Sequence, residues 1–144
     1  MFKFIIHLFA ISLCFITLTS FIQPSAKKQI QWMTIEQAYT KSKKEPRKIL
    51  IDIYTDWCGW CKVMDRQTYT DKKVVEYINE KYYAVKFNAE QKEDVKLGGN
   101  RYVSKGRVHE LALALTNNKA SYPTTVFLES NFDMIQPLPG YFKA

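Results

Sequence analysis

Cysteine and histidine are scarce in this chain. Its 144 residues include three cysteines and two histidines, and beyond residue 26 only Cys58, Cys61 and His109 remain. One close pair cannot form the many-bridged framework that holds small secreted domains together. At this length none is needed, because the chain can bury a core of its own. A closed zinc centre needs two ligands more than a C-x-x-C pair supplies. No third cysteine is there, and His109 lies beside the apolar stripe of a distant helix. No metal is therefore expected, and His109 reads as a surface or partly packed residue. Repeats and low-complexity tracts are also missing, which excludes array architectures. The formal charge is +7, but a concentrated basic patch is absent. The densest group, Lys41, Lys43, Lys44, Arg47 and Lys48, falls on a helix end and the loop after it. It reads as a solvated face, and no nucleic-acid partner is expected.

What is present describes a globular domain, with 47% apolar and 24% charged residues. The amino terminus stands apart. Lys3 is followed by a nearly unbroken apolar run from Phe4 to Ile22, closed by Gln23, Pro24 and Ser25. Residues 1–26 read as an export signal. The run is also close to the roughly 20 residues that span a bilayer, so an uncleaved membrane anchor is the other reading. A lipid-modified Cys14 is disfavoured because Leu13 stands where a small residue belongs. Residues 27–144 form the domain, with 20 basic and 14 acidic side chains and a net charge of about +6.

The hydrophobic pattern gives the order of elements. A short strand is expected at Gln29–Met33, then a helix from Thr34 to Lys44 with Gln37 as its capping-box partner. Pro46 stops it. Lys48–Thr55 (KILIDIYT) is a continuous β-prone run, the pattern of a strand buried on both faces. Helices are expected at Cys58–Gln67 and from Thr70 or Asp71 to about Tyr82, followed by a strand at Tyr83–Asn88. Leu97–Gly106 reads as a loop or insertion and Arg107–Thr116 as a helix. TTVFLE and DMIQPL are two strands joined by a turn at SNFD. The class is α/β with a mixed sheet, since a hairpin closes what crossovers began.

The chemistry sits in TDWCGWCKVMD, Thr55–Asp65. Three residues along a helix place two side chains on neighbouring positions of one face, with Cα atoms about 5 Å apart. That lies within the disulfide range of about 4.4–6.8 Å. A strand ending at Thr55 and a helix opening at Cys58 put the first sulfur on the helix's free N–H groups, which favour thiolate. Cys58 is thus expected to be the exposed attacking sulfur and Cys61 the more buried resolving one.

With AVKFNAE after it and SYPTTVFL further on, this stretch resembles the thioredoxin superfamily, and its exported branch in particular. The resemblance covers about Ile30 to Gly140 and implies a thioredoxin-like fold, a central mixed sheet flanked by helices. Asp52 matches the family's buried acid, a carboxyl of raised pKa that takes the Cys61 proton through a water. Lys86 matches the lysine paired near that acid, against the alternative of an outward-facing lysine. Pro123 matches the family's cis-proline, which makes Tyr122 a substrate contact. Trp57 is expected as an aromatic wall, and Gly140 as the glycine that lets substrate approach. Catalytic residues are then Cys58, Cys61, Asp52 and Lys86; substrate-binding residues are Trp57, Trp60, Tyr122, Pro123 and Gly140.

Two features depart from the family. Trp60 stands where thioredoxin has proline, and the residues between the cysteines tune reduction potential. No closing helix follows Gly140; either the chain is cut short, or the Leu97–Gly106 insertion and the Arg107–Thr116 helix cover that face. The expected function is an exported thiol–disulfide oxidoreductase, periplasmic or anchored facing the periplasm, acting on protein substrates with disulfides or thiols. The reductase direction follows from relatives that draw on a membrane electron donor. No cofactor is implied. The alternative is a peptide-binding or chaperone-like module without turnover.

Overall fold

The computed structural model describes residues 29–144. The expected export signal or anchor therefore lies outside the described residues. Among those residues, no helix is long and apolar enough to cross a membrane.

A sheet of five strands runs in the order β1-β3-β2-β6-β7. These strands are β1 (Trp32–Met33), β2 (Lys48–Tyr54), β3 (Tyr82–Asn88), β6 (Thr124–Leu128) and β7 (Met134–Pro139). β1, β3 and β2 pair in parallel; β6 pairs antiparallel with β2, and β7 antiparallel with β6. The central strand β2 is buried from Ile49 to Ile53, as its unbroken apolar run requires. β7 is an edge strand, where Pro137 and Pro139 withdraw no donor from an inner ladder.

Among the described residues, four helices flank the sheet: α1 (Ile35–Lys44), α2 (Gly59–Gln67), α3 (Lys72–Lys81) and α4 (Glu110–Leu115). Each helix starts where a side chain satisfies free N–H groups. Thr34 and Gln37 form a reciprocal capping box on α1, and the Asp71 carboxylate accepts from the N–H groups of Lys73 and Val74. One core joins Ile49, Ile51, Ile53, Val85, Phe87 and Val126 to α1 and α4. A second, on the opposite face, joins Leu50 and Ala84 to Met64 of α2 and to Val75 and Ile78 of α3.

Four expectations need correction. Leu97–Gly106 is not a plain loop: β4 (Val95–Leu97) and β5 (Asn100–Tyr102) pair as an antiparallel hairpin. Gly98 and Gly99, at φ 60° and 84°, make the left-handed turn it needs. The last helix, of only six residues, starts at Glu110 rather than Arg107, because His109 caps it, with Nδ1 accepting the Leu111 N–H at 3.1 Å. That role takes His109 fully out of solvent, at 0% exposure, so it is neither a surface nor a partly packed residue. Finally, α4 and Val95 pack on the isoleucine face and not on the face that carries Asp52. Beyond β7 the chain instead turns back over the end of α2. There the Thr68 hydroxyl donates to the Phe142 carbonyl, and the Tyr141 phenol and Gln67 Oε1 are hydrogen-bonded at 2.9 Å.

Candidate active site

β2 ends at Tyr54, and a turn closed by the Cys58 N–H on the Thr55 carbonyl leads into α2. Cys58 is the N-cap of α2, and its Sγ accepts the Cys61 N–H at 3.1 Å. Cys58 and Cys61 are disulfide-bonded, with Cα atoms 5.3 Å apart. The first sulfur thus rests on the positive end of a helix dipole, where a thiolate is stabilised. The expected contrast in exposure does not hold. Cys58 is only 4% exposed and Cys61 2%. As a cap bonded to its partner, Cys58 turns inward, and its sequence neighbours Trp57 and Trp60 take the solvent instead.

Asp52 and Lys86 are register partners on β2 and β3, and Thr125 of β6 faces Asp52 from the other side. Asp52 is 1% exposed, and the Lys86 Nζ lies 2.5 Å from its Oδ2. The same ammonium pairs with Asp65. Asp65 follows Cys61 by four residues, on one face of α2. Three rings surround the ammonium, those of Tyr54, Trp32 and Tyr69, with centroids 5.0, 5.1 and 5.3 Å away. Burial pushes the Asp52 carboxyl above its usual pKa, against the opposing pull of Lys86. Burial disfavours the Lys86 ammonium too, but the two carboxylates outweigh it and its pKa is raised. Burial, and then the Asp52 charge, raise Tyr69. Among the described residues, Asp52 Oδ1, Tyr69 Oη and Thr125 Oγ1 are buried without a direct hydrogen bond.

The rim is aromatic. Trp57 donates its indole N–H to Glu90 at 2.9 Å, and Glu90 accepts from Arg107 Nε at 2.8 Å. The Arg107 guanidinium lies 5.6 Å from the Trp57 ring, closing a triangle. The hydrogen bond from Arg107 holds the Glu90 carboxyl below its usual range. Tyr122 meets Trp57 edge-on, with centroids 6.0 Å apart, and the Tyr122–Pro123 peptide is cis. A groove of about 320 Å³ is lined by Trp60, Tyr122, Pro123, Gly140 and Tyr141. Gly140 has φ 106° and donates its N–H to the Pro123 carbonyl at 2.8 Å.

The expected residues are therefore gathered into two groups. Cys58, Cys61, Asp52 and Lys86 occupy one end of β2, β3 and α2, while Trp60, Tyr122, Pro123 and Gly140 share one groove. Trp57 lies outside that groove, across Tyr122. Sequence reasoning missed Asp65, Tyr69, Glu90, Arg107 and Tyr141. Only Asp65 carried a signal, its helical spacing from Cys61; the others meet the site through long-range contacts.

A helix-capping C-x-x-C pair beside the central strand of a mixed five-stranded sheet, with a cis X–Pro bond entering the antiparallel neighbour, is a thioredoxin-fold arrangement. Solved structures agree. A structure described as DsbH Oxidoreductase matches with a TM-score of 0.58 at 19% identity, covering 81% of this chain and 77% of that one. A putative disulphide-isomerase from Bacteroides thetaiotaomicron matches with a TM-score of 0.57 at 22% identity, covering 83% and 88%. Residues 15–142 match the family Thioredox_DsbH, described as a protein of unknown function, DUF255. The chain belongs to this DsbH-type thioredoxin-like family. Among curated proteins, spermatogenesis-associated protein 20 of Homo sapiens is 23% identical over 105 residues, 73% of this chain. The chain spans 12% of that relative's length. An uncharacterized protein of Caenorhabditis elegans is 21% identical over 116 residues, which are 80% of this chain and 14% of that protein.

Proposed function

We propose that this protein is an exported thiol–disulfide oxidoreductase working as a reductase on protein substrates in the periplasm. The observation that carries the reading is the Cys58–Cys61 bond at the start of α2, with Cys58 Sγ receiving the Cys61 N–H at 3.1 Å. In the reduced protein, Cys58 thiolate attacks one sulfur of a substrate disulfide, and the other leaves as a thiol after taking a proton. Cys61 then attacks Cys58, its proton passing through a water to Asp52. The second substrate sulfur leaves with a proton, and two electrons have moved from the Cys58–Cys61 dithiol to substrate. Lys86 holds Asp52 in place. Trp57, Trp60, Tyr122, Pro123 and Gly140 receive the substrate chain; the backbone N–H and C=O of Tyr122 take no backbone partner among the described residues and are open to a strand-like pairing. A dithiol donor at the membrane would regenerate the pair, and residues 1–26 would direct export.

The test is reduction of insulin by dithiothreitol, with and without the protein, together with the equilibrium potential of the pair against glutathione. Acceleration with a potential near about −270 mV supports a reductase, and one near about −120 mV an oxidant. The near-burial of Cys58 beside an open groove favours a second reading, a peptide-binding module without turnover. A folded protein that binds unfolded peptide but leaves insulin reduction unaccelerated would establish it.

A further inference from the structure

We propose that the groove lined by Trp60, Tyr122, Pro123, Gly140 and Tyr141 selects substrate chains carrying an aromatic side chain within two residues of the cysteine under attack. The inference rests on the oxidoreductase reading and names its substrate class. Trp60, Tyr122, Pro123 and Tyr141 line the groove with rings, Gly140 adds no side chain, and no charged residue takes part. A charged substrate side chain entering there would lose water without gaining a partner. A Cβ built on Gly140 meets nothing within 4 Å, so the chain leaves open space on that side. The volume of about 320 Å³ is at the small end for ligand pockets, a fit for one large side chain rather than for a segment.

The aromatic wall is pre-set. The Trp60 and Tyr141 rings lie 5.5 Å apart at 33°, leaving the exposed Trp60 with a face to offer. Tyr141 is tied to Gln67 by its hydroxyl at 2.9 Å, and the next residue's carbonyl is tied to Thr68. Both anchors sit at the end of the helix that Cys58 caps, so the wall is tied to the same helix as the first sulfur. A ring entering this groove would find aromatic faces and edges already in place to pair with, as aromatic rings favour. Trp60 lies between the two cysteines in the chain, so one wall of the groove is two residues from Cys58. In an extended chain a rise of about 3.3 Å per residue limits the reach to the nearest positions.

The test uses the full chain, reduced, and peptide disulfides that differ only at the four positions within two residues of one cysteine. Serine, leucine or phenylalanine occupies one of these positions at a time. The electrons and protons leave Cys58 and Cys61 and end on the two peptide thiols, and dithiothreitol supplies the next pair. For at least one position, phenylalanine should raise the rate about tenfold over serine through KM, with leucine between. Tyr141→Ala should bring the phenylalanine-to-serine ratio close to parity, while Tyr141→Phe, which keeps the ring and loses only the Gln67 bond, should retain most of it. Equal rates for serine and phenylalanine at every position overturn the inference and leave the oxidoreductase reading intact. Leucine matching phenylalanine overturns the aromatic preference. If no peptide is reduced at all, the oxidoreductase reading falls and this inference falls with it.

Discussion

Asp52 and Lys86 face each other across the parallel strands β2 and β3, and their side chains meet at 2.5 Å with Asp65 on the far side of the same ammonium. A buried carboxyl is thus held by a cation that it shares with a second, more exposed carboxyl.

If Asp52 takes the Cys61 proton, Asp52→Asn should slow resolution of the mixed disulfide about tenfold or more at pH 7, and much less at pH 9, where the thiol ionises without help. Stopped-flow rates of the second exchange step across that range check this. An equal loss at both pH values would remove the proton-accepting role.

The same substitution should stabilise the fold. The folded-state pKa of Asp52 stands above its ordinary value of 3.8, so the native state binds this proton more tightly than the unfolded chain. That contribution is present below pH 3.8 and lost as pH rises through the folded value. Asp52→Asn should therefore be more stable than the parent at pH 7, with the gain shrinking towards zero in acid, since Lys86 keeps Asp65 as a partner. Urea denaturation of the oxidised protein at pH 3.5 and pH 7 measures both ends.

Cys61→Ser should accumulate a covalent complex with substrate, visible on a non-reducing gel and released by dithiothreitol. Cys58→Ser should form none. Complexes in the second variant but not the first would reverse the assigned order of attack.

Arg107→Ala should free Trp57 from one side of its triangle. A cation–π contact at an exposed site is worth about 0.5–1 kcal/mol, so KM should rise roughly two- to fivefold, with the loss lying chiefly in KM. Steady-state kinetics, alongside a change in tryptophan emission, read it out; a loss confined to kcat would place Arg107 elsewhere in the mechanism.

Much of this molecule was legible before any coordinates. The ILIDIY run announced a strand with both faces covered, and β2 is the middle of the sheet. The spacing of Cys58 and Cys61 announced a reversible pair, because helical geometry alone sets their separation. The missing parts share a cause: local pattern carries period but not tertiary neighbours. His109 looked peripheral because nothing in its sequence neighbourhood reveals that its ring caps α4 within the core. Cys58 looked exposed because a cap position implies access, whereas its depth is set by the disulfide and the residues around it. Which face of the sheet the insertion and α4 cover has no local signature either; they pack on the isoleucine face, opposite the one that carries Asp52.

The clasp between the carboxyl-terminal tail and α2 has a practical consequence for anyone handling this protein. A purification handle fused after Ala144 is separated by only Lys143 and Ala144 from Phe142, whose carbonyl is bound to Thr68. Tyr141 precedes Phe142 and packs 5.5 Å from the Trp60 ring, so a handle there acts next to the residue between the two cysteines. A preparation tagged there should not be expected to behave like one without a tag.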